Sequence, residues 1–248
     1  MIDRIFRTLA RRWLLFLNLG VAFYVGLPML APVLMHVGAT GPAALIYRVY
    51  SPMCHQLASR SFFLFGEQVA YPRAIAGSSL TPIETFMPDL PEFADASTDP
   101  ARWATFLWPA RRFVGNEQMG YKMALCQRDI SIYSSILIGG LVYGLLRRRG
   151  PVRPMRFWLF LLIGVAPIAF DGFSQLFSQF FVGSQLEMLA RLFPLRESSP
   201  LLRTLTGAIF GLSVVWLVYP RLDEQFSMTA DDIERRLAAK TESAGAGG

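Results

Sequence analysis

The chain has 248 residues, is 53% hydrophobic and only 17% charged, against about 25% charged for an ordinary soluble domain. Its net charge of +6 would suit a nucleic-acid binder, but the basic residues sit in blocks beside uncharged apolar runs and form no single stripe. That pattern excludes a soluble nucleic-acid-binding domain and points to a membrane protein whose charges flank its spans.

Arg4, Arg7, Arg11 and Arg12 precede the first apolar run, residues 13–35, which carries no charged side chain. A bilayer core needs about 20 apolar residues per helix, whereas the apolar region of a secretory signal is only ~7–15 long, so this run reads as a retained anchor. Pro28 and Pro32 are expected to kink or end it. Next, Gly41-Pro42 opens a short helix over ALIYRVY, and Ser51-Pro52 breaks it and restarts another. Cys54 would then sit in a helix's first turn, where the dipole favours thiolate. SFFLF suits a strand or an element lying on the bilayer. Residues 77–100 are rich in Pro, Ser, Thr and acids and read as an irregular excursion. Trp103, Phe106, Trp108 and Phe113, mixed with Arg102, Arg111 and Arg112, read as an interfacial aromatic belt.

Three further spans follow. Residues 130–146 carry Gly139, Gly140 and Gly144, a small face that permits close helix contact in lipid. Residues 157–177 contain one charge, Asp171. Residues 202–219 end at Pro220, with Arg203 at the mouth and Thr206, Gly207 and Gly211 on a second small face. The sequence thus predicts an all-α protein: a four-helix transmembrane bundle, residues 1–220, with a long segment 36–129 between helices 1 and 2. Residues 221–248 form a tail in which TADDIERRLAAK reads as a short helix capped by Thr229. The loop RRRGPVRPMR has five arginines and no acid, whereas segment 36–129 has eight basic and eight acidic side chains. The positive-inside rule puts the loop and both termini in the cytoplasm and segment 36–129 outside, for a multi-pass protein of the inner (plasma) membrane. Lipid is the expected partner, and the glycine faces would also serve a homo-oligomer or a membrane-protein partner.

Four blocks, CHQLASRSFFLFGEQ, GNEQMGYKMALCQRDISIY, PIAFDGFSQLF and RESSPLLRTLTGAIFG, closely resemble an uncharacterised family of bacterial and archaeal multi-pass membrane proteins, a domain of unknown function. The resemblance implies a membrane class and a set of important positions, but no substrate. It also implies a Cys-x-x-Cys where this chain has Cys126-Gln127-Arg128-Asp129. The final cysteine is an aspartate here, which weakens a four-ligand thiolate site yet can still ligate zinc or iron through oxygen.

The topology gathers the unusual polar residues at the outer end of the bundle. Cys54, His55, Cys126 and Asp129 are the candidate metal ligands, with Zn or Fe as the ion. A disulfide between Cys54 and Cys126, or unlinked structural groups, stand as alternatives. The surrounding polar cluster comprises Gln56, Arg60, Arg128, Asp171, Gln175, Arg196, Glu197 and Arg203. Asp171 is the candidate general base, because an intramembrane carboxylate costs about 2.5–3.5 kcal/mol and needs a proton or a partner; Arg203 and Arg128 are the cations expected to clamp it. Three function classes fit these residues. One is a metal-assisted polar site, enzymatic or binding, suited to an anionic substrate. Another is a structural, assembly or transport subunit held by a disulfide and salt bridges. The third is a quinone-linked thiol oxidoreductase, for which Asp129 removes the resolving thiol.

Overall fold

In this computed structural model, residues 2–181, 188, 191 and 193–245 are described. Four helices are long and apolar enough to cross a membrane: α2 (Trp13–His36), α5 (Gln127–Leu146), α6 (Phe157–Phe181) and part of α7 (Pro200–Gly245). A short amphipathic helix, α1 (Ile2–Arg11), precedes them. The segment between α2 and α5 builds a small domain on one end of the bundle. It contains α3 (Thr40–Tyr50), β1 (Ser61–Leu64), a run of 3₁₀ turns, α4 (Trp103–Arg112), β2 (Gly115–Asn116) and β3 (Gly120–Cys126).

Helix association in lipid lacks a hydrophobic drive and rests on close van der Waals contact. The glycines supply it. A Cβ on Gly211 of α7 would stand 2.4 Å from the Ile132 carbonyl oxygen of α5, and one on Gly207 would stand 2.8 Å from that of Arg128. The α5–α7 contact is the principal one in the bundle. Gly140 of α5 admits Asn18 of α2 in the same way. α6 widens to a π-helical segment over Phe160–Val165, where Gly164 packs on Ser213 of α7.

One expectation about proline is corrected, that for Pro220. α2 continues through Pro28 and Pro32 to His36, and α7 continues through Pro220 to Gly245 instead of ending there; the tail helix is its extension. A proline inside a helix leaves the carbonyl four residues earlier without its donor. The Tyr50 hydroxyl donates to the Tyr24 carbonyl at 2.7 Å, and the Met155 amide donates to the Trp216 carbonyl at 3.0 Å. The carbonyls orphaned by Pro28 and Pro220 are therefore satisfied from another element, so the helix need not stop at either. α7 begins as the Ser-Pro pair dictates: Pro200 is its first residue, and the Ser199 hydroxyl accepts from the Leu202 amide at 3.2 Å.

At the end bearing the termini, Asp223 accepts from the Trp13 indole at 3.0 Å and the Tyr143 hydroxyl at 3.2 Å, and pairs with Arg147 at 2.5 Å. At the other end the sheet has the order β1-β3-β2, antiparallel throughout. Its core is Phe63, Tyr71, Ile83, Met87, Phe93, Phe106 and Phe113. The stretch 77–100 is irregular, as expected, but its apolar residues fill this core. The expected aromatic belt is likewise corrected: Phe106 and Phe113 are core residues and Trp103 packs against them, leaving Trp108 exposed. Alternation explains the difference. In WATFLWPARR the helical turn points Trp103, Phe106 and Ala110 to one side, onto the core.

Candidate metal centre

Cys126 is the N-cap of α5, with extended backbone (φ −73°, ψ 163°), and Asp129 lies in the first turn. N-cap and third-residue side chains meet at a helix start, as in a capping box. Cys-x-x-Asp therefore directs a sulfur and a carboxylate to one point, and the Cys126 thiol donates to Asp129 Oδ2 at 3.2 Å. The acid also suits the positive end of α5.

Cys54 reaches the same point by another route. The helix expected after Ser51-Pro52 does not form; residues 51–53 turn out of α3, with the Cys54 amide donating to the Tyr50 carbonyl at 3.1 Å, and the chain past Cys54 is irregular. Gln56 then reverses it with φ +52°, a left-handed conformation costly for a residue with a side chain. Buried Gln56 is held there by four bonds. Its amide group donates to the Tyr47 and Ala124 carbonyls at 2.9 Å each, and its backbone N–H reaches Cys54 Sγ at 3.5 Å. Its carbonyl accepts from Lys122 Nζ at 2.6 Å. Lys122, only 1% exposed, also donates to the Arg111 and Ala110 carbonyls at 2.7 and 3.4 Å, and its own carbonyl accepts from the Tyr47 hydroxyl. The sheet completes the approach, because Ser61 pairs opposite Cys126 and its carbonyl accepts from buried Gln127 at 3.0 Å.

The ligand atoms of Cys54, Cys126 and Asp129 lie within 4.8 Å of one another, and both cysteines are free thiols. The two sulfurs are unequal. The neighbouring Cys126 thiol, helped by the Gln56 amide against burial, lowers the Cys54 thiol; the same neighbour, with burial, pushes the Cys126 thiol up. Burial pulls Lys122 down to about 7, though three carbonyl acceptors are what an ammonium's three N–H groups need. Two thiolates and one carboxylate are a donor set for zinc or iron, with one tetrahedral position left over. His55 is exposed and lines the neighbouring cavity, but it is not among the converging groups.

That cavity has a volume of about 420 Å³ and is lined by all three ligands, by Arg60, Arg128 and Arg203, and by Gln175 and Gln179 of α6 and α6's Gly172. Behind its wall lies the rest of the polar cluster. Asp171, 2% exposed, does not line the cavity: it pairs with Arg128, with Arg196 at 3.1 Å, and accepts from the Ser198 hydroxyl at 2.9 Å. Arg203, expected to clamp Asp171, instead pairs with Glu197 at 3.0 Å and donates to Gln175 Oε1 at 3.1 Å. Arg196 and Glu197 are adjacent in a stretch without regular secondary structure, and their side chains part, Arg196 to Asp171 and Glu197 to Arg203. Burial alone would raise the Glu197 carboxyl, but Arg60 at 3.1 Å and Arg203 together hold it below the usual range. Sequence reasoning missed Lys122, Gln127 and Ser198. Lys122 had a signal, a lone charge in the apolar strand GYKMALC; Ser198 had only its place in RESSP.

Residues 117–217 match a protein family described as predicted membrane protein (DUF2085). A curated relative, the uncharacterized protein MJ1492 of Methanocaldococcus jannaschii, is 26% identical over 203 residues, covering 80% of this chain and 84% of that one. No solved structure matches. Four apolar helices and these similarities define a multi-pass membrane protein. Both findings support the resemblance to an uncharacterised membrane-protein family. The matched stretch contains Cys126, Asp129, Asp171 and Arg203; Cys54 and Arg60 lie before it.

Proposed function

We propose that this is a metal-binding protein of the inner membrane, with both termini cytoplasmic and a zinc or iron centre of Cys54, Cys126 and Asp129 facing outward. The observation that carries it is the convergence of two sulfurs and a carboxylate oxygen within 4.8 Å beside an arginine-lined cavity. Orientation rests on the loop arginines 147, 148, 149, 153 and 156 at the termini end. The donor set favours zinc, and a bound ion with an open position would polarise an oxygen of a ligand in the cavity. Gln56 and Lys122 act as positioning residues, holding the loop that carries Cys54. Asp171 is assigned to the scaffold, since both of its carboxylate oxygens are engaged.

Elemental analysis with thiol counting on the purified protein tests this. One equivalent of metal is expected, lost in Cys126→Ser and Asp129→Ala and retained in His55→Ala. Metal-free protein that regains no zinc or cobalt after reduction and reloading overturns the reading. A second reading has the same two sulfurs cycling between dithiol and disulfide, favoured by their lying within 4.8 Å of each other. It predicts two thiols after reduction, none after mild oxidation, and no metal in either state.

A further inference from the structure

We propose that the cavity beside the cysteines is an anion site that takes a phosphate group, free or carried by an amphiphile. Charge accounting comes first. Arg60, Arg128, Arg203 and Asp129 line it, and Arg196, Asp171 and Glu197 are paired to them or to one another behind its wall: four guanidinium groups and three carboxylates. One positive charge is left over. Adding a divalent ion together with two thiolates does not change that balance, so the surplus persists in the apo and metal-bound forms. A surplus cation in a poorly solvated cluster calls for a bound anion.

Hydrogen bonding gives a second, independent reason. Arg60 Nη2 and Arg128 Nε are buried and have no partner among the described residues, although both side chains line the cavity. Buried donors are almost always satisfied, and guanidinium forks match phosphate oxygens. Arg60 is also fixed for the purpose, between Glu197 at 3.1 Å and the Trp103 ring, 4.8 Å from its centroid. Gln179 supplies a neutral donor on the α6 side. The volume, about 420 Å³, lies in the ~300–1,000 Å³ range of small-molecule sites.

The rim indicates how an amphiphile would sit. Met53 and Leu176 line the opening and are exposed, and Phe173 and Phe180 continue the exposed apolar face of α6. A phosphate in the cavity thus has an apolar track beside it. The inference deepens the metal reading and rests on it in one respect, that the open metal position would receive a phosphate oxygen; recognition by the arginines stands without it.

Titration calorimetry on the full chain in dodecyl maltoside, with and without one equivalent of zinc, tests this using inorganic phosphate and short-chain phosphatidic acid. Either probe should bind, and Arg60→Gln should weaken it at least tenfold while zinc stoichiometry stays at one. Gly172→Leu provides a variant that removes no charge. A Cβ there meets nothing closer than Arg128 Nη1 at 3.6 Å, an ordinary contact, so a leucine adds bulk to the cavity lining beside Arg128; binding should again fall at least tenfold while the unfolding midpoint in mixed micelles stays at the wild-type value. Tighter binding of phosphatidic acid assigns the site to an amphiphile; equal or tighter binding of inorganic phosphate assigns it to a soluble anion. Failure of both probes on the wild type, or unchanged binding in both variants, overturns the anion site. Phosphate binding that depends on Arg60 in a protein that takes up no zinc overturns only the metal reading.

Discussion

Glu197→Gln should be the most damaging single-atom-scale change in the protein. Glu197 and Arg203 are each 3% exposed at the side chain and meet at 3.0 Å, with Arg60 on the same carboxylate at 3.1 Å and Gln175 on Arg203 at 3.1 Å. Removing one partner from a buried pair leaves the other charge uncompensated, at a cost of about 3–5 kcal/mol. The amide of Gln can still accept one hydrogen bond, which puts the expected loss near 3 kcal/mol. Arg203→Met should cost less, because Glu197 keeps Arg60. The double variant Glu197→Leu, Arg203→Met should recover at least ~2 kcal/mol relative to the sum of the singles, since a buried pair exchanged for apolar residues is often near neutral. Reversible unfolding in mixed detergent–SDS micelles measures all three. The acid limb provides a sign check. The folded carboxyl lies below the ordinary 4.5, so its stabilisation is present above that value and is lost as pH falls through the folded one. The limb attributable to Glu197 should therefore appear only below pH 4.5 and be absent in Glu197→Gln. A Glu197→Gln protein within 1 kcal/mol of wild type would show that the pair is solvated and would refute the burial on which the estimate stands.

Other expectations follow from single features. Gly211→Val should destabilise the bundle by about 1–3 kcal/mol, because its Cβ falls 2.4 Å from the Ile132 carbonyl, whereas Gly26→Ala, with open space around it, should be silent in the same unfolding assay. Lys122→Met removes the donor to the Gln56 and Arg111 carbonyls and should cost roughly 2 kcal/mol after relief of the buried ammonium is allowed for, while weakening zinc uptake; equal or greater stability would contradict the positioning role. In reduced, metal-free protein, Cys54 should react with iodoacetamide before Cys126, since its thiol is the more acidic, and peptide mass spectrometry finding Cys126 labelled first would reverse that assignment. Zinc should protect both thiols from the reagent, a protection abolished by chelation.

The spans were legible because uncharged runs of this length have few other uses, and the glycine faces because small residues in lipid-facing helices mean contact. Passage of α7 through Pro220 was not legible, nor was what satisfies the carbonyls freed by Pro28 and Pro220. They are satisfied by the Tyr50 hydroxyl and the Met155 amide, partners 22 residues beyond Pro28 and 65 before Pro220 that local rules do not see. The site divides the same way. Cys126 and Asp129 are locally determined, three residues apart at a helix start. Cys54 is not: its position depends on a left-handed Gln56 held by β3 and α3, and reading Ser51-Pro52 as a helix start missed that bend. A glutamine at positive φ has no sequence signature, because the fold over-determines it.

The division of labour among the arginines gives the polar cluster its physical sense. Asp171 engages Arg128, Arg196 and Ser198 from behind the cavity wall, while Glu197 engages Arg60 and Arg203 from the loop. Two carboxylates thus fix four long side chains that would otherwise lose rotamer entropy on binding anything. With Asp129 counted, the carboxylates neutralise three of the four charges, and Arg60 and Arg128 each retain a buried donor without a partner among the described residues. A purely structural clamp would match charges one to one, since each unpaired guanidinium in this setting costs stability. The excess is what a preorganised anion site requires: Asp171→Asn should therefore loosen Arg128 and weaken phosphate binding without changing zinc stoichiometry, and a variant that lost zinc while keeping phosphate would place the carboxylate in the metal centre instead.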